Sequence, residues 1–78
     1  MARLILLGPA HDAAGRREDI IDGATLEEVL IEAVNRYGTH FGALLDTSQV
    51  WINGEPATRS TPLGPHDEIM VLPPVSGG

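Results

Sequence analysis

The sequence predicts an α+β fold in which one main helix covers one face of a mixed β-sheet. Two continuous apolar runs, residues 4–7 and 69–72, lie at opposite ends of the chain and are typical of central strands. A single stretch between them has the apolar periodicity of an amphipathic helix. A chain of 78 residues has room for one small domain with a modest core.

The first strand, residues 4–7, ends at a Gly-Pro pair. Residues 8–15 contain two glycines, a proline and polar side chains, and we expect them to form a loop. Residues 16–22 predict a weaker strand beside the first, because two isoleucines follow a charged stretch. Gly23 is expected to end this second strand.

The predicted helix begins after Thr25, which forms a capping box with Glu28. In that motif the threonine hydroxyl accepts from the Glu28 amide, and the glutamate side chain reaches back to the threonine amide. Apolar side chains then recur along one helix face: Leu26, Val29, Leu30, Ala33, Val34 and Tyr37. Gly38 is expected to end the helix. Because the stripe occupies one side only, the helix is predicted to pack on the flat surface of the sheet.

The second half of the chain predicts a short turn and a hairpin. Apolar side chains within 41–45 are expected to cover one core edge, and residues 50–57 predict a hairpin around Asn53 and Gly54. Pro56 places the second hairpin strand at the sheet edge. With the first and last strands paired at the sheet centre, this order gives a ubiquitin-like, β-grasp roll.

The composition argues against several classes of function. The chain has 11 acidic and 5 basic side chains and a net charge of −6, so nucleic acid and anionic membrane surfaces are not expected partners. No apolar stretch approaches the roughly 20 residues of a membrane span, and we expect a soluble, cytoplasmic protein. The absence of cysteine excludes a disulfide scaffold, thiolate metal sites and a cysteine nucleophile.

The remaining polar residues form no catalytic or metal-binding pattern. The three histidines lack the paired spacing of metal ligands, so no metal site is expected. Asp67 and Glu68 are neighbours on a strand, where adjacent side chains point to opposite faces, and we interpret them as surface charge. Trp51 is expected to pack in the core or at the sheet edge. No phosphate-cradling loop is present, so any ATP is expected to bind to a partner.

The two apolar runs also predict a docking surface on the sheet face away from the helix. A half-covered sheet usually carries polar residues at alternate positions, yet both runs are apolar throughout. One set of side chains faces the helix, and the other set emerges on the open face. The predicted docking residues are Leu4, Leu6, Met70 and Leu72, with the intervening residues as the alternate set. Loops folded over the patch, or a homodimer, are the competing explanations.

The chain is divided into a β-grasp domain, residues 1–72, and an extended tail, residues 73–78. The two prolines of the tail remove amide donors and hold the backbone extended, so strand pairing stops before them. The two glycines lack Cβ atoms and fit a narrow channel. The reactive group at the tip is the carboxylate of Gly78, which becomes electrophilic after activation such as adenylation. Ser76 has no base near it in the sequence and is interpreted as a tail residue.

Three segments together resemble the small subunit of molybdopterin synthase, a ubiquitin-like sulfur carrier. They are Pro62-Leu63, Asp67-Glu68 and Pro73-Pro74-Val75-Ser76-Gly77-Gly78. The resemblance implies that an E1-like adenylating enzyme uses ATP to adenylate Gly78, and that a sulfur donor protein converts it to a thiocarboxylate. In the large subunit of molybdopterin synthase, the sulfur then passes to cyclic pyranopterin monophosphate.

By the same resemblance, Gly78 bears the sulfur and Gly77 gives access to it. The residues implied to thread the partner's channel are Pro73, Pro74, Val75 and Ser76. The chain itself is implied to be a carrier that binds no cofactor and has no active site of its own. The alternatives are a carrier for a cysteine, thiamine or secondary-metabolite route, a ubiquitin-like interaction module without tail chemistry, or a protein modifier attached to target lysines.

Overall fold

The computed structural model describes residues 2–73, which contain five strands and three helices. They are β1 (Ala2–Leu6), α1 (Pro9–Ala14), β2 (Glu18–Ile21), α2 (Leu26–Tyr37), α3 (Thr39–Leu45), β3 (Gln49–Ile52), β4 (Glu55–Pro56) and β5 (Glu68–Leu72). No helix within this range is long and apolar enough to cross a bilayer.

The strands form one mixed sheet in the order β2-β1-β5-β3-β4. β5 lies at its centre, parallel to β1 and antiparallel to β3, and the other pairs are antiparallel. This order confirms the predicted roll, in which the first and last strands pair in the middle of the sheet. The core contains buried residues of α2 together with alternate residues of β1 and β5.

The register between β1 and β5 decides which side chains enter the core. Leu4 is paired with Ile69 and Leu6 with Val71, and these four side chains are buried. The prediction that Leu4 and Leu6 lie on the open face is therefore wrong, because their exposed fractions are 0% and 1%. The alternate residues of β1 emerge on the open face instead.

α2 begins and ends where its sequence signals predict. The Thr25 hydroxyl accepts a hydrogen bond from the Glu28 amide at 3.4 Å. The reverse bond of the predicted capping box is not among the hydrogen bonds of residues 2–73. At the other end, Gly38 lies outside the helix, and its N–H donates to the Val34 carbonyl at 2.8 Å. The buried helix residues are Leu26, Val29, Leu30 and Ala33.

Residues 8–15 do not form the expected loop, because six of them form α1. Proline at the first helical turn carries no amide donor that would go unpaired there. Gly15 takes the left-handed conformation, with φ 75°, and its N–H donates to the His11 carbonyl at 2.9 Å. The glycine that suggested a loop thus ends a short helix. Ala10 of that helix is buried in the core.

The segment expected to be a short turn forms α3 instead. α3 buries Phe41 and Leu45, and the Phe41 ring meets Tyr37 of α2 edge to face, with ring centroids 5.0 Å apart. The prediction that this segment covers a core edge holds, and only its conformation was wrong. Aromatic pairs with this geometry add stability beyond the area that they bury.

The predicted hairpin is present, with Asn53 and Gly54 at φ 51° and 85° between β3 and β4. Asp67 ties this turn to the loop before β5. Its carboxylate accepts from the Gly64 amide at 2.6 Å and from the Asn53 side-chain amide at 2.9 Å. These two bonds hold the pKa of Asp67 below its usual value. Asp67 is therefore a structural link as well as a surface charge.

Candidate docking surface and tail exit

A row of apolar side chains crosses the open face of the sheet. The register pairs Ile5 with Met70, Met70 with Trp51, and Trp51 with Pro56, so one residue from each of four adjacent strands lies in line. Ile5, Met70 and Trp51 are half-buried although no helix covers this face. The row provides an apolar strip that a flat protein surface can cover.

The row is bounded on one side by charged residues. Arg3 is paired with Glu68 across β1 and β5, and its guanidinium contacts the Glu18 carboxylate at 2.6 Å and the Glu68 carboxylate at 3.5 Å. All three side chains are about half exposed, so these contacts add little stability. An apolar centre with a charged rim is the usual composition of a protein interface.

The other side of the row leads to the point where the tail leaves the domain. Leu72, the last residue of β5, is paired with Gln49. Beside it the Leu7 amide donates to the Val71 carbonyl at 3.2 Å, which extends the β1–β5 ladder by one residue. Leu7 is exposed. Apolar side chains therefore reach from the centre of the open face to the tail.

Pro73 begins the tail and lies against Gly8. A Cβ atom built on Gly8 would lie 3.5 Å from the Pro73 ring. Gly8 has φ 58° and ψ −131°, a conformation that side-chain-bearing residues rarely adopt. The turn from β1 into α1 thus places a backbone with no side chain next to the first residue of the tail.

The predicted site residues divide into three groups. Met70 and Leu72 lie on the open-face side of β5, whereas Leu4 and Leu6 lie in the core. Pro73 is exposed at the end of the sheet. Pro74, Val75, Ser76, Gly77 and Gly78 lie outside the described residues.

Of the open-face residues, Trp51 was missed by the sequence interpretation, and Ile5 was given only within the alternate set. The charges of Arg3 and Glu68 were the signal that could have found them. Side chains two residues apart on a strand share a face. Arg3 is charged and lies two positions before Ile5, so it indicates that Ile5 is on the solvent-exposed face.

A second polar cluster lies on the helix-covered side and is structural. The Asp19 carboxylate accepts from the Tyr37 hydroxyl at 2.6 Å and contacts the guanidiniums of Arg36 at 3.1 Å and Arg16 at 3.4 Å. The Tyr37 bond is the largest influence holding the pKa of Asp19 below its usual value. Burial, followed by the same bond, raises the pKa of Tyr37 far above its usual range. A phenol held in its neutral form is a hydrogen-bond donor, and this one joins β2 to α2.

The arrangement suits binding rather than catalysis. Within residues 2–73, no group of three histidine, aspartate or glutamate side chains could hold a metal ion. The titratable side chains with shifted pKa values belong to the structural contacts at Arg3, Asp19 and Asp67. The open face offers an apolar strip beside the tail exit.

Comparison with known proteins supports the same interpretation. The model of the ThiS family matches residues 4–78. None of the curated proteins compared with the chain matches it.

Several solved structures share the fold over nearly the whole chain. Small archaeal modifier protein 1 from Haloferax volcanii is 28% identical with a TM-score of 0.80, covering 99% of this chain and 98% of its own. The protein of the same name from Methanosarcina acetivorans is 26% identical with a TM-score of 0.87, covering 99% and 95%. A complex of subunits 1 and 2 of molybdopterin-converting factor from Helicobacter pylori contains a chain that is 23% identical with a TM-score of 0.71, covering 99% and 97%. At that identity the last likeness shows the fold alone.

Proposed function

The chain belongs to the ThiS family of ubiquitin-like sulfur carriers, and from that premise we propose that it is the small subunit of a molybdopterin synthase. A carrier of this kind acts within complexes and is not an enzyme by itself. The observation that carries the proposal is the end of the chain, Pro-Pro-Val-Ser-Gly-Gly, which follows directly on the central strand of the sheet.

The proposed chemistry takes place at the carboxylate of Gly78. An adenylating partner joins that carboxylate to the α-phosphate of ATP and releases pyrophosphate. A hydrosulfide equivalent supplied by a donor protein then attacks the carbonyl carbon, the bond to AMP breaks, and a thiocarboxylate remains. ATP binds to the adenylating partner, since this chain has no phosphate-cradling loop.

In the proposed synthase the tail then enters the large subunit. The thiocarboxylate sulfur attacks a carbon of the pterin substrate and displaces an oxygen substituent, which leaves with the electron pair of the broken C–O bond, and water then cleaves the resulting thioester. That hydrolysis leaves the sulfur on the substrate and restores the carboxylate of Gly78. Two such transfers, each from one loaded carrier, supply the two sulfurs of the dithiolene. The carrier supplies no other reacting group.

The open face is the proposed contact with each partner. Its apolar row ends beside the tail, so a partner that covers Ile5, Met70 and Leu72 also receives Pro73 in a fixed position. The tail prolines favour an extended backbone at about 3.1 Å per residue. Six residues at that rise would cover up to roughly 19 Å, enough to reach a recessed site.

A protein modifier is the second candidate, favoured by the 28% identity to small archaeal modifier protein 1. In that role Gly78 would form an isopeptide bond with a target lysine. This chain contains no lysine, so it could be attached once but could not extend a polymer through its own side chains.

The experiment that tests the proposal starts with protein purified from cells that contain its own activating enzyme. Intact mass and tail-peptide mapping are expected to show one oxygen of Gly78 replaced by sulfur. Mapping to the tail peptide is needed because oxidation of Met1 or Met70 adds nearly the same mass. Incubation with a molybdopterin synthase large subunit and the pterin substrate is then expected to consume the sulfur and form the dithiolene product.

A chain lacking Gly77 and Gly78 is expected to fold normally and to transfer no sulfur. Met70→Glu is expected to weaken partner binding by about tenfold or more, because it places a charge in the centre of the apolar row. Ala43→Glu is the matched control, since it adds the same charge to an exposed position on α3.

Three outcomes separate the candidates. Sulfur that reaches only a cysteine or thiamine precursor would assign the carrier to another pathway. An isopeptide between Gly78 and cellular lysines would identify a modifier. A tail that remains a carboxylate with ATP, activating enzyme and donor present would refute the carrier chemistry.

A further inference from the structure

The turn between β3 and β4 contains an asparagine followed by a glycine, Asn53 and Gly54. In such a pair the side-chain carboxamide can react with the backbone that follows it. When the Gly54 amide loses its proton, its nitrogen becomes a nucleophile for the side-chain carbonyl carbon of Asn53. A glycine at the second position has no Cβ atom to hinder the approach. The turn thus contains both groups needed for deamidation.

Deamidation at this turn needs only water and a base from the solvent. The base takes the Gly54 amide proton, and the nitrogen bonds to the Asn53 side-chain carbon. The bond from that carbon to the side-chain nitrogen then breaks, and the nitrogen leaves with its electron pair and takes a proton from water to become ammonia. Water opens the remaining succinimide ring at either carbonyl, which gives aspartate or isoaspartate at position 53.

The attacking group lies open to solvent. Gly54 is exposed, has φ 85°, and a Cβ atom built on it would meet no atom within 4 Å. Water and hydroxide therefore have access to the turn at this residue. The part of the reaction that the fold can control is the Asn53 side chain.

That side chain is bound to the start of β5. Its Nδ2 donates to the Asp67 carboxylate at 2.9 Å, and its Oδ1 accepts from the Glu68 N–H at 3.0 Å. A carboxylate only accepts and an amide N–H only donates, so these two partners fix the orientation of the carboxamide. The Asn53 N–H also donates to the Glu68 carbonyl at 2.9 Å. The side-chain oxygen therefore completes the next rung of the β3–β5 ladder in place of a backbone carbonyl.

Ring closure is incompatible with these contacts. Attack by Gly54 makes the Asn53 side-chain carbon tetrahedral and expels the nitrogen that donates to Asp67. The planar carboxamide cannot keep its bonds to both Asp67 and Glu68 as the ring forms. Each contact that is lost on the way raises the barrier to deamidation.

We propose that Asn53 is a site of spontaneous deamidation, and that its bonds to Asp67 and Glu68 hold the reaction back while the turn is joined to β5. The bond to Asp67 involves a charged group. Breaking a contact of that kind slows a reaction by about 10- to 100-fold. The rate of deamidation therefore rises where the turn separates from β5.

The product does not fit the site that protected the asparagine. An aspartate at position 53 places a second carboxylate at the 2.9 Å contact with Asp67 and adds a negative charge to a chain whose net charge is already −6. An isoaspartate adds a methylene group to the backbone of a two-residue turn, whose length sets the register of the hairpin. Either product breaks the link between the turn and β5.

The modification site is far from the group that carries the sulfur. Glu68 is the first residue of β5, and the tail leaves after Leu72. Those four steps along the strand cover roughly 13 Å at the usual rise. Deamidation therefore destabilises the domain without altering the carboxylate of Gly78, and the inference holds whichever pathway receives the sulfur.

The test follows deamidation of the full chain at neutral pH, once folded and once unfolded in guanidinium chloride. Peptide mapping by mass spectrometry detects the replacement of the side-chain NH₂ by OH, and chromatography separates aspartate from isoaspartate. Deamidation at Asn53 is expected to be about 10- to 100-fold slower in the folded chain. Asn35, which precedes arginine, is the internal control and should react more slowly than Asn53 in the unfolded chain. The isolated deamidated protein is expected to melt at a lower temperature.

Two variants separate the local contact from overall stability. Asp67→Ala removes the acceptor for the Asn53 side chain and is expected to speed deamidation of the folded chain by about tenfold. Tyr37→Phe loosens the contact between β2 and α2 without touching the turn, and should leave the rate unchanged. Circular dichroism and Trp51 fluorescence establish that each variant is folded.

Equal rates in the folded and unfolded wild-type chain would overturn the proposal, and that comparison needs no variant to fold. An unmodified Asn53 in the unfolded chain would also overturn it. If Tyr37→Phe speeds the reaction as much as Asp67→Ala, unfolding of the whole domain controls the rate and the local contact does not. All of these outcomes are independent of the sulfur chemistry of the tail.

Discussion

Replacing Tyr37 with phenylalanine tests the contact that joins β2 to α2. The change removes the hydroxyl that donates to Asp19 at 2.6 Å and keeps the ring that packs against Phe41. The Asp19 side chain is only 14% exposed, so water replaces the lost donor poorly. A hydrogen bond to a charged group contributes about 1.5–3 kcal/mol, and we expect Tyr37→Phe to lower the free energy of unfolding by about 2 kcal/mol.

For a domain of this size such a loss lowers the melting temperature by roughly 8–16 °C. The assay is denaturant unfolding, followed by circular dichroism and by fluorescence of the single tryptophan, Trp51. Asp19→Asn is a companion variant, because it removes the charge while keeping an acceptor for the tyrosine hydroxyl.

The effect also depends on pH in a defined direction. The pKa of Asp19 is lower in the folded chain than its ordinary value of 3.8. Its stabilisation is therefore complete above the ordinary value and is lost as the pH falls through the folded value. The difference between wild type and Tyr37→Phe should be constant near neutral pH and shrink in strong acid. A cost below about 0.5 kcal/mol at neutral pH, or one that does not change in acid, would refute the assignment.

Three further substitutions test the local structure. Thr25→Ala removes the acceptor at the start of α2 and is expected to cost about 1 kcal/mol in denaturant unfolding, whereas Thr25→Ser should restore most of it. Gly23→Ala would place a Cβ atom 2.8 Å from a Val29 methyl carbon and 3.1 Å from the Val29 amide nitrogen. We expect the free energy of unfolding to fall by about 1–3 kcal/mol, and an unchanged melting temperature would contradict the close approach. Asp67→Asn is expected to destabilise the chain at neutral pH. The difference from wild type should be full above the ordinary Asp67 pKa of 3.8 and be lost as the pH falls through the lowered folded pKa, because protonation weakens the same contacts.

The elements with local signals could be predicted from the sequence. α2 has a capping residue, one apolar face and a terminal glycine, and the hairpin has its Asn-Gly turn, so each is specified within a few residues. Helices α1 and α3 are too short for periodicity to identify them. Gly15 predicts a loop when it is considered alone, although a glycine at that point also ends a helix, as it does after α1.

The orientation of the open face needed information that a continuous apolar run does not contain. In residues 4–7 every position is apolar, so the pattern does not show which alternate residues face the core. A shift of one residue would exchange the core and surface positions. The structure resolves the phase through long-range pairing, which places Leu4 against Ile69 beneath α2. In the sequence, only the flanking charges of Arg3 and Glu68 indicated which residues face the solvent.

In the proposed function a partner draws in the C-terminal end of the chain, and the central position of β5 then has a mechanical consequence. A pull at Pro73 acts along the axis of a strand that is bonded to a neighbour on each side. The hydrogen bonds to the neighbouring strands run roughly perpendicular to that axis, so the force shears both sets of bonds together. They therefore resist the force jointly and do not break one pair at a time. An edge strand at this end of the chain would peel away under the same force. With this topology, a partner can pull on the C-terminal end of the carrier while the domain stays folded.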